Sequence, residues 1–144
     1  MKKILFIFIL ILLGRLKTSL LFPSVLDPDE MQMGANALRL INNNVDLGAF
    51  DGSSSGVLNS LILSWPYLLN LDVTYLSIRI TAFLLLILIS LLSYKIIKIS
   101  SNKIVASIFT IPLVIFYGFT KDPHYLHYSS ELLSVFFLTL SLYL

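Results

Sequence analysis

The chain has 144 residues, of which 57% are hydrophobic and only 12% charged, with a mean hydropathy of +0.89 and a net charge of +2. That balance lies far outside the range of a water-soluble domain, and the lysines flank apolar runs instead of forming a basic patch, which excludes a nucleic-acid footprint. The lack of cysteine excludes disulfides, thiolate metal sites and cysteine nucleophiles.

The fold class this implies is all-α: a polytopic transmembrane helical bundle in a cell membrane, with interfacial juxtamembrane helices in its first outer loop. Met1-Lys2-Lys3 precedes an apolar run from Ile4, and no small-residue cleavage site follows in the expected window. Residues of about 4–22 are therefore expected to form an uncleaved signal anchor with the N-terminus in the cytoplasm. Arg15 and Lys17 then fall at the outer interface, where long cationic side chains snorkel.

Interfacial helices are predicted at about 28–41 and 57–71, and further spans at about 77–97, 104–119 and 132–144. The segment at 57–71 decides the orientation. It is short, carries Asn59 and Trp65-Pro66, and ends in Asn70 and Asp72. If it only dips into the interface, the loop with Lys95, Lys98 and Lys103 falls inside, as the positive-inside bias requires. The acidic segments around Asp29 and Glu131 are then delivered to the same extracytoplasmic face. The last apolar run is shorter than the roughly 20 residues a crossing needs, so residues 1–144 are read as the N-terminal part of a longer multi-span domain.

Asp27, Pro28 and Glu30 fit an N-cap, a first-turn proline and the acidic third position of a capping box. Met31, Ala35 and Leu38 recur at helical spacing, which suits a helix lying on a membrane surface, and Asn42-Asn43-Asn44 ends it. Capping and the helix dipole explain Asp27 and Glu30 structurally, but do not require Asp29.

The connection at 120–131 packs Asp122, His124, Tyr125, His127, Tyr128 and Glu131 between two apolar spans. On one helix, His124, His127 and Glu131 would share a face, where a divalent metal could bind, although a lone His-x-x-His is more often hydrogen-bonded structure. No cofactor is otherwise indicated. A carboxylate heading an apolar helix is explained by the dipole, yet ionisable groups at membrane depth commonly mark a substrate or ion pathway.

This order of features resembles the N-terminal part of the C-type membrane glycosyltransferases, the group of the protein O-mannosyltransferases and the bacterial lipid A aminoarabinose transferases. The resemblance rests on Asp29-Glu30 opening the outer loop, the interfacial Ser64-Trp65-Pro66-Tyr67-Leu68-Leu69, Arg79 entering the next span, and His127-Tyr128-Ser129-Ser130-Glu131 before an apolar helix. Glu131 stands where many relatives have Asp, and Ser53-Ser54-Ser55-Gly56 replaces the usual Lys-Pro-Pro stretch.

The resemblance implies transfer of a sugar from a polyprenyl phosphate to a glycan, lipid or protein acceptor outside the cytoplasm, by direct displacement at the anomeric carbon. Asp29, Glu30 and Glu131 are then the catalytic candidates, with Asp29 as general base. Arg79, His124, His127 and Tyr128 are the substrate-binding candidates, and Arg79 or Arg15 would offset the charge of the leaving phosphate. The competing reading is a non-enzymatic multi-pass membrane protein, a transporter fragment or assembly factor, whose acidic residues line an ion path or cap helices. Clustering of the ionisable groups in outer loops, away from mid-bilayer, weighs against a transporter.

Overall fold

The computed structural model describes Ile9, Leu13, Gly14, residues 27–43 and 56–120, Tyr125 and residues 127–144. The signal anchor expected at 4–22 lies outside the described residues except at Ile9, Leu13 and Gly14, which are helical. All regular structure among the described residues is helical: α1 (Pro28–Asn43), α2 (Gly56–Leu63), α3 (Trp65–Leu68), α4 (Tyr75–Ser100), α5 (Lys103–Phe119) and α6 (Ser130–Tyr143).

Helix α1 starts directly after Asp27, which caps it. Its Oδ1 accepts the Asp29 N–H at 3.0 Å and its carbonyl accepts the Met31 N–H at 3.0 Å, which satisfies two donors that the first turn would leave orphaned. The third-position Glu30 does something the capping pattern did not suggest, turning inward to Arg79 in α4. Glu30, Met33, Gly34 and Ala37 form the buried face, whereas Met31, Ala35 and Leu38 are exposed. The helix thus has two low-polarity stripes, one packed against the bundle and one turned outward. A Cβ on Gly34 would lie 2.7 Å from Ile78 Cδ1, so this glycine is what lets α1 cross close over the start of α4.

The segment predicted as one interfacial helix at 57–71 is broken into two. Ser64 adopts a turn and donates its hydroxyl to the Leu61 carbonyl at 2.7 Å, and Pro66 follows without an N–H to continue the ladder. Eight residues of α2 rise only about 12 Å, so this helix by itself is too short to cross a bilayer. The indole N–H of Trp65 donates to Thr81 Oγ1 at 2.8 Å and ties α3 to α4.

Helix α4 is the axis of the fold. Thr74 and Ser77 form a reciprocal capping box at its start, and its 26 residues extend about 39 Å. It is the one described helix both long and apolar enough to cross a membrane; α5 and α6 are apolar but have 17 and 14 residues. After the tight connection at Ser101 and Asn102, whose Oδ1 accepts two first-turn N–H groups of α5 at 2.9 and 3.0 Å, α5 returns antiparallel. Helix α4 packs along both α5 and α6.

Two clusters result. One gathers Met33, Ala37, Leu63, Ile78, Ala82, Leu85, Tyr128 and Leu133 from four elements and the 127–129 segment; the other joins Tyr94 of α4 to Ala106 and Val114 of α5. At the far end, the Lys95 ammonium lies 5.0 Å from the centre of the Tyr143 ring. The first cluster sits at the end where α4 and α6 begin and α5 finishes, and there the polar residues collect.

Candidate functional site

Asp29 and Glu131 occupy equivalent positions on different helices. Each is the second residue after its cap, Asp27 for α1 and Ser129 for α6, so each carboxylate lies in the positive field of a helix N-terminus. Both open onto one cleft of about 610 Å³, lined by Asp29, Tyr117, Tyr125, Ser129, Glu131, Leu132 and Val135. That volume falls within the roughly 300–1,000 Å³ common for ligand sites. Tyr125 is half exposed and packs edge-on against Phe116, with ring centres 5.1 Å apart. The tyrosines, Ser129 and the carboxylates can bond hydroxyl groups, while the rings and Leu132 and Val135 supply apolar wall.

Glu30 has a different environment from its neighbour Asp29. It is fully buried, and Arg79, 4% exposed, holds it: Nε lies 3.2 Å from Oε1 and 3.4 Å from Oε2, and Nη2 lies 3.2 Å from Oε2. His127 Nδ1 stands 3.6 Å from the same Oε2. A bidentate guanidinium is the partner that makes a buried carboxylate tolerable, since it satisfies both oxygens in one plane. The helical alternation that exposes Asp29 therefore buries Glu30.

Tyr128 is also fully buried and donates its hydroxyl to Asn59 Oδ1 of α2 at 2.9 Å. Burial raises its pKa well above the ordinary value of 10.0.

The seven candidate residues therefore separate. Asp29 and Glu131 share the cleft. Glu30, Arg79 and His127 form the buried network beside it. Tyr128 is a packing and hydrogen-bonding residue, with no exposed surface to offer a substrate. Arg79 was expected at the membrane interface or on a leaving phosphate; it is instead buried with its guanidinium on Glu30, and it is not among the described cleft-lining residues. His124 and Arg15 lie outside the described residues.

The shared helical face expected for His124, His127 and Glu131 does not form as drawn, because α6 begins at Ser130 and His127 lies in the connection before it. Among the described residues no group of three His, Cys, Asp or Glu stands close enough to hold a metal ion. Sequence reasoning passed over Tyr117 and Ser129 as cleft residues and Asn59 as the partner of Tyr128. A polar Asn inside the apolar run at 57–71 was the available signal for the last.

No protein-family model, curated protein or solved structure matches this chain.

Proposed function

We propose that the chain forms the extracytoplasmic carboxylate site of a membrane glycosyltransferase, which moves a sugar from a polyprenyl phosphate to an acceptor hydroxyl or amine. The observation that carries this reading is the sharing of one tyrosine-walled cleft by Asp29 and Glu131, two carboxylates from opposite ends of the described chain. Cleft chemistry of this kind suits a polyhydroxylated ring and a proton acceptor beside it. The resemblance in the order of Asp29-Glu30, Trp65-Pro66, Arg79 and Glu131 supplies the reaction class.

In this reading α4, α5 and α6 lie across the bilayer, with the cleft end outside and Lys95, Lys98 and Lys103 inside. The outward apolar surface, including Leu84, Leu88, Ile108, Phe109, Phe137 and Leu138, supports contact with lipid or with further spans. Asp29 takes the acceptor's proton as the acceptor attacks the anomeric carbon and the phosphate departs with the bonding pair. Glu131 faces the same space and orients hydroxyl groups. Glu30 does not react, because its carboxylate is committed to Arg79.

The test is transfer of labelled sugar, in membranes containing the full chain, from a panel of polyprenyl-phosphate hexoses and pentoses. Asp29→Asn is expected to slow transfer by about 10²–10⁴-fold, the usual contribution of a general base. An unchanged rate would remove Asp29 from the mechanism. Absence of transfer from every donor would favour the non-enzymatic reading, for which the buried Glu30–Arg79 pair, a structural clamp between α1 and α4, is the supporting feature.

A further inference from the structure

We infer that His127 and Tyr128 are positioning residues, a two-point dock that sets Glu131 across the cleft from Asp29. Their adjacent side chains reach different elements of the first loop. His127 Nδ1 lies 3.6 Å from Glu30 Oε2 on α1, longer than a hydrogen bond and an ion pair when the imidazole is protonated, and the Tyr128 hydroxyl donates to Asn59 Oδ1 on α2 at 2.9 Å. Tyr128 is fully buried in the same cluster as Met33, Leu63 and Leu133, so its ring is wedged among α1, α2 and α6.

The two anchor points adjoin the two carboxylates. Glu30, which His127 approaches, is next to Asp29; Glu131 follows Tyr128 by three residues, past Ser129, the extended residue at the N-cap position of α6. Any slip of the 127–129 segment therefore moves the start of α6 and with it Glu131. The Tyr128 hydrogen bond alone would leave that segment able to pivot about it; the His127 contact on another helix, strongest when the imidazole is protonated, restricts the rotation. The Glu30–Arg79 pair anchors the α1 side of the dock to α4, so the cleft width is fixed relative to the bundle axis. This inference goes beyond the transferase reading and stands or falls separately from it.

The lack of native cysteine gives a direct test. Asp29→Cys with Glu131→Cys reports the cleft, and Lys95→Cys with Tyr143→Cys reports α4–α6 packing at the far end, each crosslinked in membranes by a short bis-maleimide. The background variants are His127→Gln, Tyr128→Phe and the two combined, which keep the bulk of each side chain and limit unfolding. The dock predicts that the cleft crosslink slows about fivefold or more in the combined variant and less in each single one, while the far-end crosslink stays within about twofold. An unchanged cleft crosslink would overturn the inference. So would equal slowing at both ends, which would make the two residues general packing groups.

Discussion

Arg79 and Glu30 are each too polar to be buried alone, and their pairing converts two prohibitive burials into one tolerated contact. The fork geometry satisfies both carboxylate oxygens, which a single ammonium cannot do. Arg79→Ala leaves the Glu30 charge without its main partner and is expected to destabilise the fold by about 3–5 kcal/mol, read as a lower midpoint of thermal unfolding in detergent. Arg79→Lys should recover only part of that loss, and full recovery would show that charge alone, without the fork, suffices.

Tyr128 poses a milder version of the same problem, since one buried hydroxyl is met by one amide oxygen. Tyr128→Phe is expected to cost about 1 kcal/mol at neutral pH. The raised pKa of Tyr128 adds a pH signature with a definite sign. The folded chain holds this proton more tightly than the unfolded chain, so the contribution is complete below the unfolded tyrosine value of 10.0 and declines as pH rises above it. Unfolding midpoints measured on either side of that value should fall less steeply with pH in Tyr128→Phe than in the unaltered chain; parallel profiles would contradict the assignment.

At the level of elements, several hydroxyl residues of α4, α5 and α6 are accommodated by bonding within their own helix. Thr81, Ser90, Ser107, Thr110, Ser134 and Thr139 each donate to the carbonyl four residues earlier, so none demands water from an apolar surrounding. Contact between helices is then set by shape, and Gly34 sits close on Ile78, with no room for a Cβ unless Ile78 shifts. Gly34→Ala meets only the flexible tip of Ile78 and should be mild. Gly34→Leu cannot be seated without lifting α1 from α4, at an expected cost of about 1–3 kcal/mol. It should also loosen the Glu30–Arg79 contact, so combining it with Arg79→Ala should cost less than the sum of the two changes. Additive costs would mean that α1 stays in place and the strain is absorbed elsewhere.

At the scale of the molecule, the polar network and the cleft lie at one end of the bundle, and Lys95, Lys98 and Lys103 surround the other. Exposed Ser101 and Tyr125 mark these two ends. In intact cells, a membrane-impermeant maleimide is expected to label Tyr125→Cys at once and Ser101→Cys only after permeabilisation, as the positive-inside bias directs. The reversed pattern would place the cleft in the cytoplasm and remove the extracytoplasmic acceptor from the proposal.

The sequence by itself determined the helical class and the places where helices start. Apolar run length, Asp27-Pro28 and the Lys-flanked turn at Ser101 and Asn102 act through contacts only a few residues apart, and α1, α4, α5 and α6 begin within a few residues of where those signals stand. It also carried the candidates Asp29 and Glu131, because a carboxylate at a helix start is conspicuous in an apolar chain. Only the tertiary structure decided that Asp29 faces a cleft while Glu30 is sealed beneath it, that Arg79 holds Glu30, and that Tyr128 reaches back to Asn59. The reason is physical. Local propensity sets the phase of a helix to within a turn, but which of two adjacent carboxylates is buried depends on a guanidinium 49 residues away, a partner that no local pattern encodes.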